Sequence, residues 1–368
     1  MMPFNDLNRT PPDLRARLAA SVQRVLDRGW FILGPEVTAF EAEFGAYCGA
    51  AHCLSVANGT DAIEIALRAL GIGPGDRVAT VANAGGYSTT AIRAIGAVPH
   101  YVDIDPRDMT MSAGSLSAGL EQSVRAVIAT HLYGRMADLP ALLDVTQRAG
   151  VPLVEDCAQA HGASLGGKRA GAWGALASFS FYPTKNLGAC GDGGAVTTDD
   201  AALASRVKRL RQYGWTSKYH SAEQGRNSRL DDMQAAILRA KLPLLDGWNR
   251  RRREIARVFS QALRASPAAG PSGCGDEYVA HLYVIRTKNR DAVRAMLAER
   301  GIATEIHYPV PDHLQEAELR AERQGLELPE TERAAHEVLT LPCYPELRQD
   351  EIDRIANALR ELSDGGQL

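Results

Sequence analysis

No stretch of this chain approaches the ~18 consecutive apolar residues of a membrane-spanning helix, so none is expected. The opening segment, MMPFNDLNRTPPDLRARL, lacks the apolar core of an export signal, and a cytoplasmic protein is the expectation. Neither sign of charge is in excess. The 41 basic and 44 acidic side chains leave a net charge of −3, which offers no field to draw in nucleic acid or an anionic membrane. The one basic run, Arg250 to Arg253, falls in a helical stretch and reads as a solvated face. Cysteine is sparse and unpatterned. Cys48, Cys53, Cys157, Cys190, Cys274 and Cys343 form no CxxC pair and no His/Cys cluster with zinc spacing, so no metal is expected. The nearest grouping, Cys48–His52–Cys53, reads as core packing, because a free cysteine behaves as a small hydrophobe. Reduced thiols fit an intracellular compartment. Lysine is also in short supply: Lys168, Lys185, Lys208, Lys218, Lys241 and Lys288 are the only ones among the 41 basic residues. Each lysine is therefore an unusual choice.

What is present is an alternation. Residues 11–28 read as an amphipathic helix with Leu14, Leu18, Val22 and Val25 on one face and Thr10 as its cap. A second helix covers about 36–47 and carries Phe40 and Phe44. Short apolar strands follow at 52–57, 76–81, 98–104, 125–130, 151–156, 175–182 and 193–199. Helical patterns at 60–70, 88–95, 139–149 and 201–213 are interleaved with them. Strands apolar nearly throughout, separated by helices, imply a mostly parallel sheet covered on both faces. Ligands of such sheets bind beyond the carboxyl ends of the strands. A long helical stretch from Asp231 to about Leu263 is interrupted at Pro243, and 266–275 is loop-like. A strand over 278–287 and helices at 291–300, 331–339 and 350–362 then read as a smaller α+β domain. The division expected is a large α/β domain over 1–245 and a small domain over 246–368.

One lysine sits where lysine is costly. In FSFYPTKNLGACGDGG, Lys185 lies between an apolar strand and a glycine-rich loop. The plain reading is a loop lysine; the sharper one is an amine held in a cleft to form an imine with a carbonyl compound. Asp156 ends the strand VPLVED, either as a turn or cap residue or as an acid pointing into the cleft, and Gln159 is three residues on. Asn58-Gly59-Thr60 joins a strand to a helix, whose N-terminus offers N–H groups and a positive dipole to a phosphate. Ser180 could donate to the same phosphate. Tyr87 is either a core aromatic or a plate for stacking. Together, a lysine amine, an acidic partner, a phosphate cradle and an aromatic plate are what pyridoxal 5'-phosphate needs.

These residues lie in blocks that resemble a known family. EDCAQAHGA (155–163), SFSFYPTKNLGACGDGGAV (178–196), NGTDAIEIAL (58–67), NSRLDDMQAAIL (227–238) and HYPVPDHL (307–314) are similar to the nucleotide-sugar aminotransferases of the DegT/DnrJ/StrS group. These are fold-type-I pyridoxal-phosphate enzymes with an aspartate-aminotransferase-like large domain. The resemblance implies that Lys185 is the Schiff-base lysine, that Asp156 pairs with the pyridine nitrogen, and that Gln159 pairs with the ring hydroxyl. It implies phosphate ligands at Gly59, Thr60 and Ser180, and an aromatic over the ring at Tyr87, although VANAGGYSTT departs from the family's commoner wording. Asn227 matches an asparagine that reaches the phosphate held by the neighbouring subunit, which implies a homodimer with shared sites.

The wording of YPTKNLGACGDGG, QYGWTSKY and NSRLDDMQAAIL is most like members acting at C-3 of dTDP-linked 3-keto-6-deoxyhexoses, with glutamate or glutamine as amino donor. Action at C-4, or on an amino-carbocycle, is the alternative. A sugar dehydratase of the same fold is disfavoured, because those relatives carry histidine where this chain has Lys185. The sugar nucleotide is expected to meet His307 and Tyr308 of the small domain. It is also expected to meet Lys218 and Tyr219 in the polar segment 215–227 of the partner subunit.

Overall fold

The computed structural model describes all of residues 1–368 except 121, 122, 265, 267, 269 and 320–324. Its strands, in chain order, begin with β1 (His52–Val56), β2 (Arg77–Thr80), β3 (Val98–Tyr101), β4 (Val124–Thr130) and β5 (Leu153–Asp156). A two-stranded ribbon of β6 (Ser164–Leu165) and β7 (Lys168–Arg169) precedes β8 (Leu176–Ser180) and β9 (Gly194–Thr198). A second ribbon is β10 (Trp215–Ser217) with β11 (His220–Ser221), and β12 (Tyr283–Arg286) pairs with β13 (Val338–Leu341).

Seven strands share one sheet in the order β1-β9-β8-β5-β4-β2-β3. Only β9 runs against its neighbours; β3, β2, β4, β5 and β8 pair in parallel. The mostly parallel α/β sheet expected from the sequence is what forms. Helices cover both faces because the strands are apolar on both. On one face, Gly59–Ala69, Tyr87–Ala94 and Ala201–Leu210 bury residues such as Ile63, Leu67, Ile92 and Val207 against Val78, Ile128 and Val196. On the other, Pro35–Cys48 and Asp232–Lys241 pack Phe40, Phe44 and Leu238 against Phe179 and Phe181. Cys48 and Cys53 belong to this core, as expected. A separate core unites Ile255 and Phe259 of the helix Leu245–Ala262 with Tyr283 and Ile285 of β12 and Leu339 and Leu341 of β13. It also takes in Ile355 and Leu359 of the helix Gln349–Asp364, and Met2, which bridges to Ile302.

Several local expectations need correcting. Thr10 does not cap the first helix, which starts at Pro12 with Pro11 as its N-cap; the Thr10 hydroxyl donates to the Leu7 carbonyl instead. The strand expected from 278 begins only at Tyr283, because Tyr278 bridges to Arg135 and the Val279 N–H donates to the Gly134 carbonyl. The helix expected over 331–339 stops at Glu337, and Val338–Leu341 becomes β13 because β12 supplies an antiparallel partner. The Arg250–Arg253 run is helical but not a uniform solvated face: Arg250 is exposed and Arg252 is buried. Part of the loop at 266–275, at 267 and 269, lies outside the described residues.

Candidate active site

Alternation along β5 sends two acids in opposite directions. Glu155 is fully buried, and its carboxylate accepts from the N–H groups of Gly171 (3.0 Å), Trp173 (2.7 Å) and Gly174 (2.9 Å) and from His131 Nε2 (3.1 Å). His131 Nδ1 accepts from the Ala137 N–H at 3.1 Å, so Nε2 carries the proton. Burial pushes the Glu155 pKa up, but the His131 bond and the backbone donors outweigh it and hold it low. Cys157 lies close enough to make a metal-sized triad with His131 and Glu155. The hydrogen bonds already use that carboxylate and that imidazole, so the triad anchors the end of β5. The next residue, Asp156, turns into a cavity of about 660 Å³. Its Oδ1 accepts from the Ala158 N–H at 3.1 Å. Burial raises its pKa, against the pull of that N–H and of the Lys185 charge.

Lys185 reaches the same cavity from the loop after β8. The chain turns sharply there: the Lys185 N–H donates to the Tyr182 carbonyl at 2.8 Å, and the Ala189 N–H returns to the Phe181 carbonyl at 2.8 Å. Gly188 permits the turn, since a Cβ there would collide with the Pro183 carbonyl. Burial lowers the Lys185 pKa from 10.5 to about 8, with Asp156 opposing the shift. A minority of its amine, but far more than an ordinary lysine offers, is thus neutral near physiological pH, and that is the form that attacks a carbonyl.

The helix Gly59–Ala69 opens onto this cavity. Asn58 caps the Asp61 N–H at 2.9 Å. The N–H groups of Gly59 and Thr60, at the first turn, have no helical acceptor. Gly59 packs directly on Ser180: a Cβ at that glycine would lie 2.6 Å from the Ser180 Cβ. Gln159 accepts from the Tyr133 N–H at 2.5 Å and donates to the Tyr308 hydroxyl at 3.2 Å. Tyr87 is about half exposed on the cavity wall and meets Tyr308 edge to face, with ring centroids 6.3 Å apart. His307 stacks on Phe4 and shares a 3.0 Å hydrogen bond with the Thr340 hydroxyl. Burial and the nearby Lys185 charge lower its pKa to about 4.

Lys185, Asp156, Gln159, Gly59, Thr60, Ser180, Tyr87, His307 and Tyr308 therefore line one cavity. Asn227, Lys218 and Tyr219 do not. Asn227 is exposed and bridges to Gln212, and Tyr219 is 75% exposed beside the β10–β11 ribbon with the Lys218 amine 5.2 Å over its ring.

The cavity also holds residues that the sequence did not single out: Phe4, Asn5, Arg252 and His281. Phe4 and Asn5 arrive because Met2 pairs with Ile302, a contact no local pattern encodes. His281 is fixed by an amide chain. Asn249 Nδ2 donates to the His161 carbonyl at 2.7 Å, and Asn186 Nδ2 donates to Asn249 Oδ1 at 2.8 Å and to the Val279 carbonyl at 3.2 Å. Asn186 Oδ1 must then accept from His281 Nδ1, 3.0 Å away. That leaves His281 Nε2 as an acceptor. Burial and the charges of Lys185 and Arg252 keep His281 neutral.

The sequence profile of the DegT/DnrJ/EryC1/StrS aminotransferase family matches residues 12–360. The chain belongs to this family. A dTDP-3-amino-3,4,6-trideoxy-alpha-D-glucose transaminase of Streptomyces venezuelae is 44% identical over 365 residues, 99% of this chain and 96% of that protein. A dTDP-3-amino-3,6-dideoxy-alpha-D-galactopyranose transaminase of Aneurinibacillus thermoaerophilus is 42% identical over 360 residues, covering 98% of this chain and 99% of its own. Among solved structures, S. venezuelae DesV in complex with a ketimine intermediate superposes with a TM-score of 0.95 at 44% identity over 98% of both chains. NtdA of Bacillus subtilis with bound cofactor PMP gives 0.93 at 29% identity over 99% of this chain and 85% of that one. As an aminotransferase of this family, the chain has the fold-type-I architecture of these structures. No helix among the described residues is long and apolar enough to cross a membrane.

Proposed function

We propose that this aminotransferase uses pyridoxal 5'-phosphate to move an amino group from L-glutamate or L-glutamine to the C-3 keto group of a dTDP-linked 3-keto-6-deoxyhexose. The observation that carries the reading is Lys185: a partly buried amine whose desolvation lowers its pKa to about 8, in one cavity with Asp156 and the open helix end at Gly59 and Thr60. The C-3 position and the dTDP group are supported by the activities of the two transaminases above.

The cavity fits the cofactor on its own chemistry. The glycine-built N-terminus at Gly59 and Thr60, with the Ser180 hydroxyl against it, suits a phosphate. Asp156 suits a protonated ring nitrogen, whose charge would keep this buried carboxylate ionised. Gln159 suits the ring hydroxyl, and Tyr87 offers a flat face. When bound, pyridoxal phosphate supplies an electron sink for the carbon that bears the amino group. Lys185 would do the proton work: its Nζ would take a proton from the donor carbon and, in the second half of the reaction, give one to the acceptor carbon. Its lowered pKa suits both directions of transfer. His307 and Tyr308 contact the sugar nucleotide.

Asn227, Lys218 and Tyr219 act on the partner's site. They are exposed and away from their own cavity, which supports a homodimer with shared sites. The division into a large domain over 1–245 and a small domain over 246–368 is part of the same reading, as is a cytoplasmic location, which six free thiols suit. The test is borohydride reduction of the protein loaded with pyridoxal phosphate, followed by peptide mass mapping. The expected result is a covalent adduct on Lys185; an adduct elsewhere, or none, would overturn the assignment. A panel of dTDP-, UDP- and GDP-linked ketosugars then fixes the acceptor.

A further inference from the structure

Asp312 is a buried carboxylate without a cation. It is 2% exposed and lies four residues beyond the cavity residue Tyr308. No basic side chain among the described residues pairs with it. Its Oδ2 accepts from the Thr89 hydroxyl at 2.6 Å, and its Oδ1 is buried without a hydrogen bond of good geometry. Thr89 has one proton to give, so the Tyr101 hydroxyl, 3.1 Å away, donates to Thr89 in turn. The charged groups around Asp312 are engaged with one another: Arg93 binds Glu318 at 2.7 and 3.0 Å, and His313 shares a 3.0 Å hydrogen bond with Glu332. Burial pushes the Asp312 pKa up to about 6, helped by the Glu318 charge and opposed by the Thr89 hydroxyl and the Gly86 N–H. At neutral pH the fold therefore keeps an ionised carboxylate where an apolar side chain would be less costly.

What Asp312 joins are two walls of the reaction cavity. Thr89 lies in the first turn of the helix Tyr87–Ala94, whose N-cap, Gly86, has no side chain to cap it. Asp312 brings a carboxylate to that positive helix start from far along the chain. Its N–H also donates to the Ala82 carbonyl at 2.7 Å, so main chain and side chain both fasten the 307–312 segment. Four residues along the same helix face, Arg93 holds Glu318 and fastens the chain beyond it. The helix opens with Tyr87, and the fastened segment carries Tyr308. The Tyr308 ring lies against Gly85, where a Cβ would come within 2.9 Å of it. Tyr308 meets Tyr87 edge to face and accepts from Gln159. Shifting the segment off the helix start would part these side chains.

We propose that Asp312 is a positioning residue: through Thr89 it pins the 307–312 segment to the start of the helix Tyr87–Ala94, and so holds Tyr87 and Tyr308 at the spacing that receives the cofactor ring and the sugar nucleotide. This rests on the reading of the cavity given above.

The experiment uses the full chain in its native assembly, with Asp312→Leu and Thr89→Val as two independent ways to cut the tie. In the apo-protein, hydrogen exchange at the Asp312 and Thr90 amides, which donate to Ala82 and Gly86, should quicken at least tenfold in either variant. Exchange along β4 should stay native, which separates a lost tie from a damaged fold. The dissociation constant for pyridoxal phosphate and the KM for the sugar nucleotide should each rise by about tenfold, the order expected when a hydrogen bond to a charged group is lost. Asp312→Asn and Thr89→Ser, which keep an acceptor and a hydroxyl, should recover most of that loss. The double variant Asp312→Leu with Thr89→Val should be little worse than either single one, because both remove the same contact. If Asp312→Leu fails to fold, Thr89→Val and Thr89→Ser still decide. Native exchange and native affinities in the folded variants, no recovery in Asp312→Asn and Thr89→Ser, or losses that simply add in the double variant would overturn the proposal. A native protein that takes up no pyridoxal phosphate would instead overturn the reading of the cavity, and hydrogen exchange in the apo-protein would still decide whether Asp312 makes the tie.

Discussion

At the scale of single residues, the account turns on two side chains whose environments push them in useful directions. Lys185 is lowered to about 8 by burial, so its neutral fraction rises through that pH. The rate at which the apo-protein takes up pyridoxal phosphate should climb with pH and level off above about 8, as read by stopped-flow absorbance. A plateau displaced to the ordinary lysine range would mean that the amine is not desolvated. Lys185→Ala should fold and bind the cofactor without borohydride trapping. Asp156→Asn keeps the shape but removes the charge that holds the ring nitrogen protonated. Trapping should survive, while single-turnover amino transfer falls by about a hundredfold or more, the scale seen when a preorganised electrostatic group is lost. A near-normal rate in Asp156→Asn would assign that carboxylate a structural role. Glu155, one residue away, shows why position decides: four donors hold it in the fold and none of them belongs to the cavity.

At the scale of elements, the site is a set of strand ends and one helix start. The sequence made most of this legible. Apolar runs separated by helical periods placed Asp156 at the end of β5 and Lys185 just past β8, and an Asn-Gly-Thr step marked the helix start. Local patterns could not reveal which side chains arrive from far along the chain. Phe4 comes in through the Met2–Ile302 bridge, and His281 through a chain of buried amides. Arg252 sits in a run of four arginines that looks uniformly solvated, and only the turn of its helix buries the third. The phosphate cradle is the element most sensitive to a small change. Gly59→Ala would set a methyl 2.6 Å from the Ser180 Cβ. Overpacking of this kind costs ~1–3 kcal/mol, so the dissociation constant for pyridoxal phosphate should rise by about tenfold or more, since ~1.4 kcal/mol is one decade. Fluorescence titration of the apo-protein measures it, and unaltered affinity would remove the helix start from the cradle.

At the scale of the whole molecule, the proposed function has two domains and two protomers meet at one cavity. His307 touches Phe4 and Thr340 rather than the cradle. His307→Ala should therefore raise the KM for the sugar nucleotide while sparing the half-reaction with L-glutamate. Equal damage to both would take His307 out of the sugar subsite. The exposed Asn227 calls for a mixing experiment. Inactive Lys185→Ala and inactive Asn227→Ala protomers, once exchanged into mixed dimers, should regain part of the activity, because one of the two composite sites is intact. Mixed dimers that stay inactive after verified exchange would mean that each protomer completes its own site. The central claim is that nitrogen passes from an amino acid to a sugar carbon through this cavity, and a label follows it most directly. With nitrogen-labelled L-glutamate and a dTDP-3-keto-6-deoxyhexose, the native protein should place the label on C-3 of the sugar and release one 2-oxoglutarate for each amine formed, while Lys185→Ala transfers none. A loaded native protein that moves no label to any ketosugar, or a Lys185→Ala variant that moves it equally well, would contradict the account.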